Sequence, residues 1–217
     1  KLGAKFTHVP YKGGAEWMQA LLAGHINFLA DASQWGPFVD DGRCRILAMV
    51  TEQRLQRYAN VPTLKELGIE DNTIVMYSTD NGAEVFTWPD GGTTMFRGEK
   101  NTQWEGGYRV PTLIKWPGVI KPGTVINEIG AHEDMLTTFL AAAGDTNVTA
   151  DLLKGRKIGG TTYKVHLDGY DLGPALRGQA AWPRKEFIYW TDDGSVAALR
   201  YENLKVTFLE QQAEGLK

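Results

Sequence analysis

The 217-residue chain has a single cysteine, Cys44. No internal disulfide can form, so packing alone must hold the fold. No apolar run approaches the roughly 20 residues that a membrane-spanning helix needs. A basic excess is also missing. The 23 Lys and Arg face 26 Asp and Glu, for a net charge of −3 and a pI near 5.8. That balance argues against a nucleic-acid footprint, which needs a basic face. The four histidines, His8, His25, His132 and His166, show no metal-ligand spacing such as His-x-x-x-His. No Gly-x-Ser-x-Gly elbow supports serine hydrolase chemistry. No internal repeat or low-complexity tract appears. The N-terminus lacks Met and an apolar signal core. No secretory signal is visible, the chain reads as cut from something longer, and its compartment stays unknown.

What is present is enough for a core. Hydrophobic residues make up 42% of the chain, well above the composition of a disordered segment. Residues 6–11 read as a strand closed by Gly13-Gly14. A helix follows from Ala15, with Trp17, Met18, Leu21 and Leu22 at helical spacing and Gly24 as its C-terminal glycine. Residues 26–31 and 45–50 read as strands. Residues 33–39 read as a short helix or loop broken by Gly36-Pro37, and residues 64–67 as a short helix ended by Gly68. Cys44 reads as a strand-edge or core thiol. Arg43, Arg45, Arg54 and Arg57 read as a solvated face. Strands alternating with helices predict α/β architecture.

Further on, residues 73–77 form an apolar run that reads as a buried strand. Residues 129–143 read as a helix whose apolar face carries Met135, Leu136, Phe139 and Leu140, closed by Gly144. His132-Glu133-Asp134 opens it, with acids suited to its N-terminal dipole. Residues 147–160 read as a polar helical excursion that includes the sequon Asn147-Val148-Thr149, and residues 169–176 as a short helix. Residues 187–190, 195–201 and 204–209 alternate like an antiparallel meander. Asp193-Gly194 and Glu202-Asn203 supply its turns.

The chemistry concentrates in residues 80–109. The strand at 73–77 runs into Asp80-Asn81-Gly82. A carboxylate and an amide side by side offer hard oxygens suited to Ca²⁺ or Mg²⁺. Lys100 lies in a glycine-rich segment and could meet an anion beside such a cation. At the other end of the chain, Gly13 and Gly14 precede a helix N-terminus that could hold an anion. The plainer reading there is a tight turn. Asp192-Asp193-Gly194 could chelate weakly, but a hairpin turn accounts for it.

Two resemblances follow. His8-Val9-Pro10-Tyr11-Lys12-Gly13-Gly14, Ala20-Leu21-Leu22-Ala23-Gly24-His25-Ile26-Asn27-Phe28, Asp41-Gly42-Arg43 and Val61-Pro62-Thr63-Leu64-Lys65-Glu66-Leu67-Gly68 resemble the solute-binding proteins of tripartite tricarboxylate transporters. Residues 8–69 correspond to part of one lobe. The resemblance implies a carboxylate ligand, although the cleft between two lobes is not available here. Thr79-Asp80-Asn81-Gly82-Ala83-Glu84, Phe96-Arg97-Gly98-Glu99-Lys100-Asn101-Thr102, Trp104-Glu105-Gly106-Gly107-Tyr108-Arg109-Val110-Pro111, Trp116-Pro117-Gly118 and His166-Leu167-Asp168-Gly169-Tyr170 resemble the C-terminal part of a bacterial arylsulfatase, over residues 71–215. The two meet near residues 66–69, which implies a chimera. The expected organisation is a transporter-like segment 1–69, a sulfatase-like α/β segment 70–180, and an antiparallel segment 181–217. The implied fold is a small mixed sheet with flanking helices, of the alkaline-phosphatase-like sulfatase type, plus the meander.

Sulfatases use a formylglycine nucleophile and a divalent cation, most often Ca²⁺. By resemblance, Asp80 and Asn81 are cation ligands. Lys100 is the sulfate-contacting and catalytic lysine, and His166 lies near the substrate mouth. The formylglycine motif, Cys/Ser-x-Pro/Ala-x-Arg, has no match, since Cys44 sits in Arg43-Cys44-Arg45-Ile46-Leu47. The resemblance therefore implies half a site: a divalent cation (Ca²⁺, or Mg²⁺), a small anion (sulfate ester or carboxylate), no formylglycine and no native sulfatase turnover. The alternatives are a small-carboxylate binding module, a weak adventitious metal-dependent hydrolase, and a chimera with no specific ligand. No nucleic acid and no membrane span are expected. Surfaces that each parent covered with missing parts make a homo-oligomer a further expectation.

Overall fold

In a computed structural model, the description covers residues 9, 11, 14–29, 35–84, 92 and 94–210. Most of the expected first strand (residues 6–8 and 10) and Gly13 lie outside it. The chain divides into two units, residues 1–70 and 71–217.

The first unit is built on α1 (Gly14–Leu22) and α2 (Gly36–Asp40). Helix α1 buries Trp17, Met18 and Ala20. It ends as its glycine dictates: Gly24 has φ 75°, and the N–H of His25 reaches back to the carbonyl of Ala20 at 2.8 Å. Gly36-Pro37 does not break the next helix. Pro37 sits in its first turn, where its missing N–H costs nothing. Two expected strands do not form. Residues 26–29 are irregular, and residues 45–50 reduce to one parallel bridge, Met49 to Thr63. An apolar run makes a strand only when a neighbour takes up its backbone groups, and only Met49 finds one. Cys44 is therefore neither on a strand nor in the core, but half-buried. Met49, Tyr58 and Val61 form the core, with Trp35, Val39 and Ile46 packed on it. The short helix expected at 64–67 is a hydrogen-bonded turn. Thr63 and Glu66 exchange side-chain-to-backbone bonds there at 2.8 and 3.2 Å. The four arginines expected as a solvated face are exposed, and three of them also pair with acids: Arg43 with Asp41, Arg54 with Glu66 and Arg57 with Asp40.

Among its described residues, the second unit holds three small antiparallel sheets. In the first, β1 (Val75–Ser78) pairs with β2 (Thr112–Lys115), with Met76 opposite Ile114. This strand is half-buried rather than buried, and Tyr77 faces out. Between them lies α3 (Glu105–Tyr108). Then come α4 (His132–Ala142), α5 (Val148–Lys154), the hairpin β3 (Arg156–Ile158) with β4 (Thr161–Tyr163), and α6 (Gly173–Leu176). The hairpin replaces the second half of the helical excursion expected at 147–160. It opens at Gly155, whose φ of 108° ends α5. The meander forms as its alternation predicts. β5 (Glu186–Trp190), β6 (Val196–Tyr201) and β7 (Leu204–Thr207) pair in order, with turns at 192–194 and 202–203.

Helix α4 corrects the apolar-face expectation. Leu136 is exposed, while Asp134, Thr137 and Thr138 are buried. The buried stripe is polar because other segments satisfy it. Thr137 donates to the carbonyl of Tyr170 at 2.7 Å, and Thr138 accepts from the N–H of Leu172 at 2.9 Å. Asp134 accepts from the N–H groups of Ala131 and Tyr170 at 2.9 and 2.8 Å.

Candidate sulfatase-type half-site

The strand β1 delivers Thr79, Asp80 and Asn81 at its carboxyl end. Two local bonds shape the turn: the Asn81 N–H donates to Asp80 Oδ1 at 3.0 Å, and the Asn81 amide donates to the Gly82 carbonyl at 2.9 Å. The second bond leaves the Asn81 amide oxygen without a donor among the described residues. Behind the turn, backbone touches backbone. The Gly82 N–H donates to the Gly107 carbonyl at 2.8 Å, and the Gly106 N–H to the Arg97 carbonyl at 2.7 Å. A Cβ on Gly82 would lie 1.7 Å from the Gly106 oxygen, and one on Gly106 would lie 2.0 Å from the Gly98 oxygen. Only hydrogen fits there. The same stitching fixes Lys100, whose N–H donates to the Ala83 carbonyl at 3.0 Å. Asp80, Asn81 and Lys100 thus line one open cavity of about 1460 Å³ in the second unit.

The Lys100 ammonium lies 3.8 Å from Glu84. Both side chains are partly exposed, and such a pair is worth at most about 1 kcal/mol, so an incoming anion can compete for the lysine. His132 also lines the cavity, with Nε2 3.3 Å from the Ser78 hydroxyl. The sequence reading gave that histidine only a structural role at a helix start. Its position beside β1 depends on a partner 54 residues away. His166 is elsewhere: it is exposed, does not line the cavity, and pairs with Asp168 at 3.1 Å. Gly14 opens α1 in the other unit.

The cavity wall includes a cluster that the sequence did not signal. Glu105 accepts from the Tyr189 hydroxyl, from Lys205 at 3.1 Å and from Arg200 at 3.3 Å. Lys205 also stands 3.5 Å over the Tyr189 ring. Burial alone would push the Glu105 carboxyl up, but Tyr189, Lys205 and Arg200 outweigh it and hold it below its usual value. Burial and the same carboxylate push the Tyr189 hydroxyl well up. At neutral pH the group is a fixed anion, a neutral phenol and two cations, arranged to hold a shape. The clue was Glu105 inside Trp104-Glu105-Gly106-Gly107, but its partners lie on β5, β6 and β7, 84, 95 and 100 residues on.

Asp80 and Asn81 fit a hard divalent cation in kind. They do not complete a shell, because the described residues contain no group of three or more His, Cys, Asp or Glu placed to hold a metal.

Residues 1–79 match the family model for the tripartite tricarboxylate transporter family receptor, TctC, and residues 61–145 match the family model Sulfatase. The chain joins a TctC-like segment to a sulfatase-like segment. The TctC-like segment is 52% identical over 69 residues to the UPF0065 protein in gbd 5'region of Cupriavidus necator, covering 32% of this chain and 21% of that protein. The sulfatase-like segment is 36% identical over 146 residues to the steryl-sulfatase of Mus musculus, covering 64% of this chain and 21% of the relative. It is 34% identical over 153 residues to human (Homo sapiens) arylsulfatase A, covering 67% and 27%. The chain thus spans about a quarter or less of the length of these relatives. The crystal structure of PsFucS1 sulfatase from Pseudoalteromonas sp. superposes with a TM-score of 0.57 at 30% identity, over 71% of this chain and 28% of that one. The mixed α/β fold is therefore that of the alkaline-phosphatase-like sulfatases, in small antiparallel sheets and helices. No helix among the described residues is long and apolar enough to cross a membrane.

Proposed function

We propose that the sulfatase-like segment is a binding half-site that does not turn over sulfate esters. It takes a divalent cation, Ca²⁺ in preference to Mg²⁺, weakly at Asp80 and Asn81, and a small sulfate-like anion at Lys100. The observation that carries this is the backbone stitching of Lys100 to Ala83 and of Gly82 to Gly107, which sets the three side chains on one cavity wall. Ca²⁺ tolerates irregular oxygen shells, whereas Mg²⁺ demands near-octahedral geometry. An adjacent carboxylate and amide without a built octahedral shell favour the former, with affinity on the order of 10⁻³ M. Turnover has no support because these 217 residues contain no Cys/Ser-x-Pro/Ala-x-Arg sequence from which a formylglycine could arise.

Calorimetric titration with CaCl₂ tests the cation site. The wild type should give a saturable heat that Asp80→Ala abolishes; equal heats in both would remove the site. Lys100→Met should keep the Ca²⁺ heat and lose sulfate binding measured in saturating Ca²⁺. Incubation with 4-nitrophenyl sulfate should release no nitrophenolate above buffer. Release that Asp80→Ala abolishes would overturn the second half of the proposal.

A further inference from the structure

Among the described residues, the three-stranded sheet β5–β6–β7 is covered on one face only. On that face Tyr189, Ala197 and Ala198 are buried, with Tyr108 and Phe187 packed against them. The register fixes what the other face carries. Ile188 pairs with Leu199, Leu199 with Val206, and Tyr201 with Leu204. Alternation along a strand places these residues on one side. All are solvent-exposed, as is Phe208 just beyond β7, at between 37% and 75%. No Lys, Arg or Asp interrupts the patch, and Glu186 at its corner takes the Tyr170 hydroxyl at 2.8 Å.

We infer that this face is a homodimer interface, closed by the same face of a second copy of the chain. Four points favour that occupant. A sheet face that is apolar needs a second layer packed against it. Six side chains of this size, about half exposed, offer on the order of 700 Å² of apolar surface, more than the few hundred Å² that monomers usually leave open. That is close to the roughly 800 Å² that each partner contributes to a standard stable interface. An isologous contact sets the patch against itself, and its charged residue, Glu186, lies at the corner, so the apolar centre meets its copy without like-charge repulsion. Two such faces would stack with strands aligned within about 30°, as in sandwiches.

Light scattering coupled to size exclusion on the full chain decides it. The wild type is expected at twice the 24.0 kDa monomer mass. Leu204→Asp combined with Val206→Asp places two charges on the patch and should halve the mass with an unchanged far-UV circular dichroism spectrum. Leu113→Asp, at an exposed apolar position on β2, should remain dimeric. A wild type that is monomeric at 100-fold varied concentration, one that runs as a polydisperse aggregate, or a double variant that stays dimeric would each overturn the inference. If the double variant unfolds, single Leu204→Lys and Tyr201→Lys variants carry the same test, and loss of dimer in neither counts against it.

Discussion

Asp134 and Arg184 form a bidentate pair in the interior, with Nε to Oδ2 at 2.8 Å and Nη2 to Oδ1 at 2.6 Å. Asp134 is fully buried and Arg184 is 4% exposed. Burial would pull the guanidinium pKa down, but Asp134, Glu133 and Glu186 reverse that and raise it. The arginine also donates to the Asp168 carbonyl at 3.1 Å, and the aspartate accepts from Tyr170. One ion pair therefore joins α4, the 168–170 segment and the start of β5.

Breaking that pair from one side leaves an uncompensated buried charge. Arg184→Met is expected to cost about 3–5 kcal/mol, read as a lower urea midpoint for the second unit. Asp134→Asn with Arg184→Met should cost clearly less than the sum of the single changes, since no buried charge remains. Additivity within about 0.5 kcal/mol would show that the two do not act as a pair.

Glu105 predicts an acid-limb effect. Its carboxyl is held below the ordinary 4.5 by Tyr189, Lys205 and Arg200 against the pull of burial. A group whose folded pKa is depressed stabilises the fold above its unfolded pKa, and that contribution fades as pH falls through the folded value. Glu105→Gln should therefore melt well below wild type at pH 7, and the gap should shrink below about pH 4.5. Thermal melts from pH 7 to 3 give the answer. A gap of constant size across that range would mean that Glu105 does not stabilise as an anion.

The sequence made some of this legible and hid the rest for physical reasons. The meander and helices α1 and α4 followed from local signals: period-2 alternation with Asp193-Gly194 and Glu202-Asn203 between strands, and helical spacing closed by Gly24 and Gly144. Each needs only neighbours a few residues away. Residues 26–31 and 45–50 carry the apolar content of strands, but a strand also needs a partner edge, which composition does not reveal. In the site, Asp80, Asn81 and Lys100 were readable as residue types, and the three line one cavity. The Glu105 cluster and the Ser78–His132 contact were not readable, because each joins positions more than 50 residues apart.

The close approach of Gly82 to Gly106 ties site geometry to stability. Gly82→Ala would force its methyl to within 1.7 Å of a backbone oxygen, so the backbone itself must move. Overpacking of this kind costs about 3 kcal/mol or more. A fall in melting temperature should come with loss of the Ca²⁺ heat at temperatures where the protein is still folded, because the turn carrying Asp80 and Asn81 shifts. Gly123→Ala is the control: its φ is 78°, but nothing lies within 4 Å of the added methyl, so only the backbone strain of roughly 1 kcal/mol applies. Equal melting temperatures for the two variants would refute the packing argument.

Helix α4 sets hydrophobicity against position. A reading by apolar spacing makes Leu136 a core residue and Thr138 a bystander, yet Leu136 is 52% exposed and Thr138 is 2% exposed. Thr138→Val keeps the shape and removes the acceptor for the Leu172 N–H, which sits in a buried pair at 2.9 Å. An orphaned buried donor costs about 1–3 kcal/mol. Leu136→Ala removes a half-exposed side chain and should cost under about 1 kcal/mol, partly offset by the better helix propensity of alanine. Chemical denaturation of both variants should therefore rank the threonine change as the more damaging. The opposite ranking would mean that the apolar side of α4 does pack in solution and that its polar stripe does not carry the 168–172 segment.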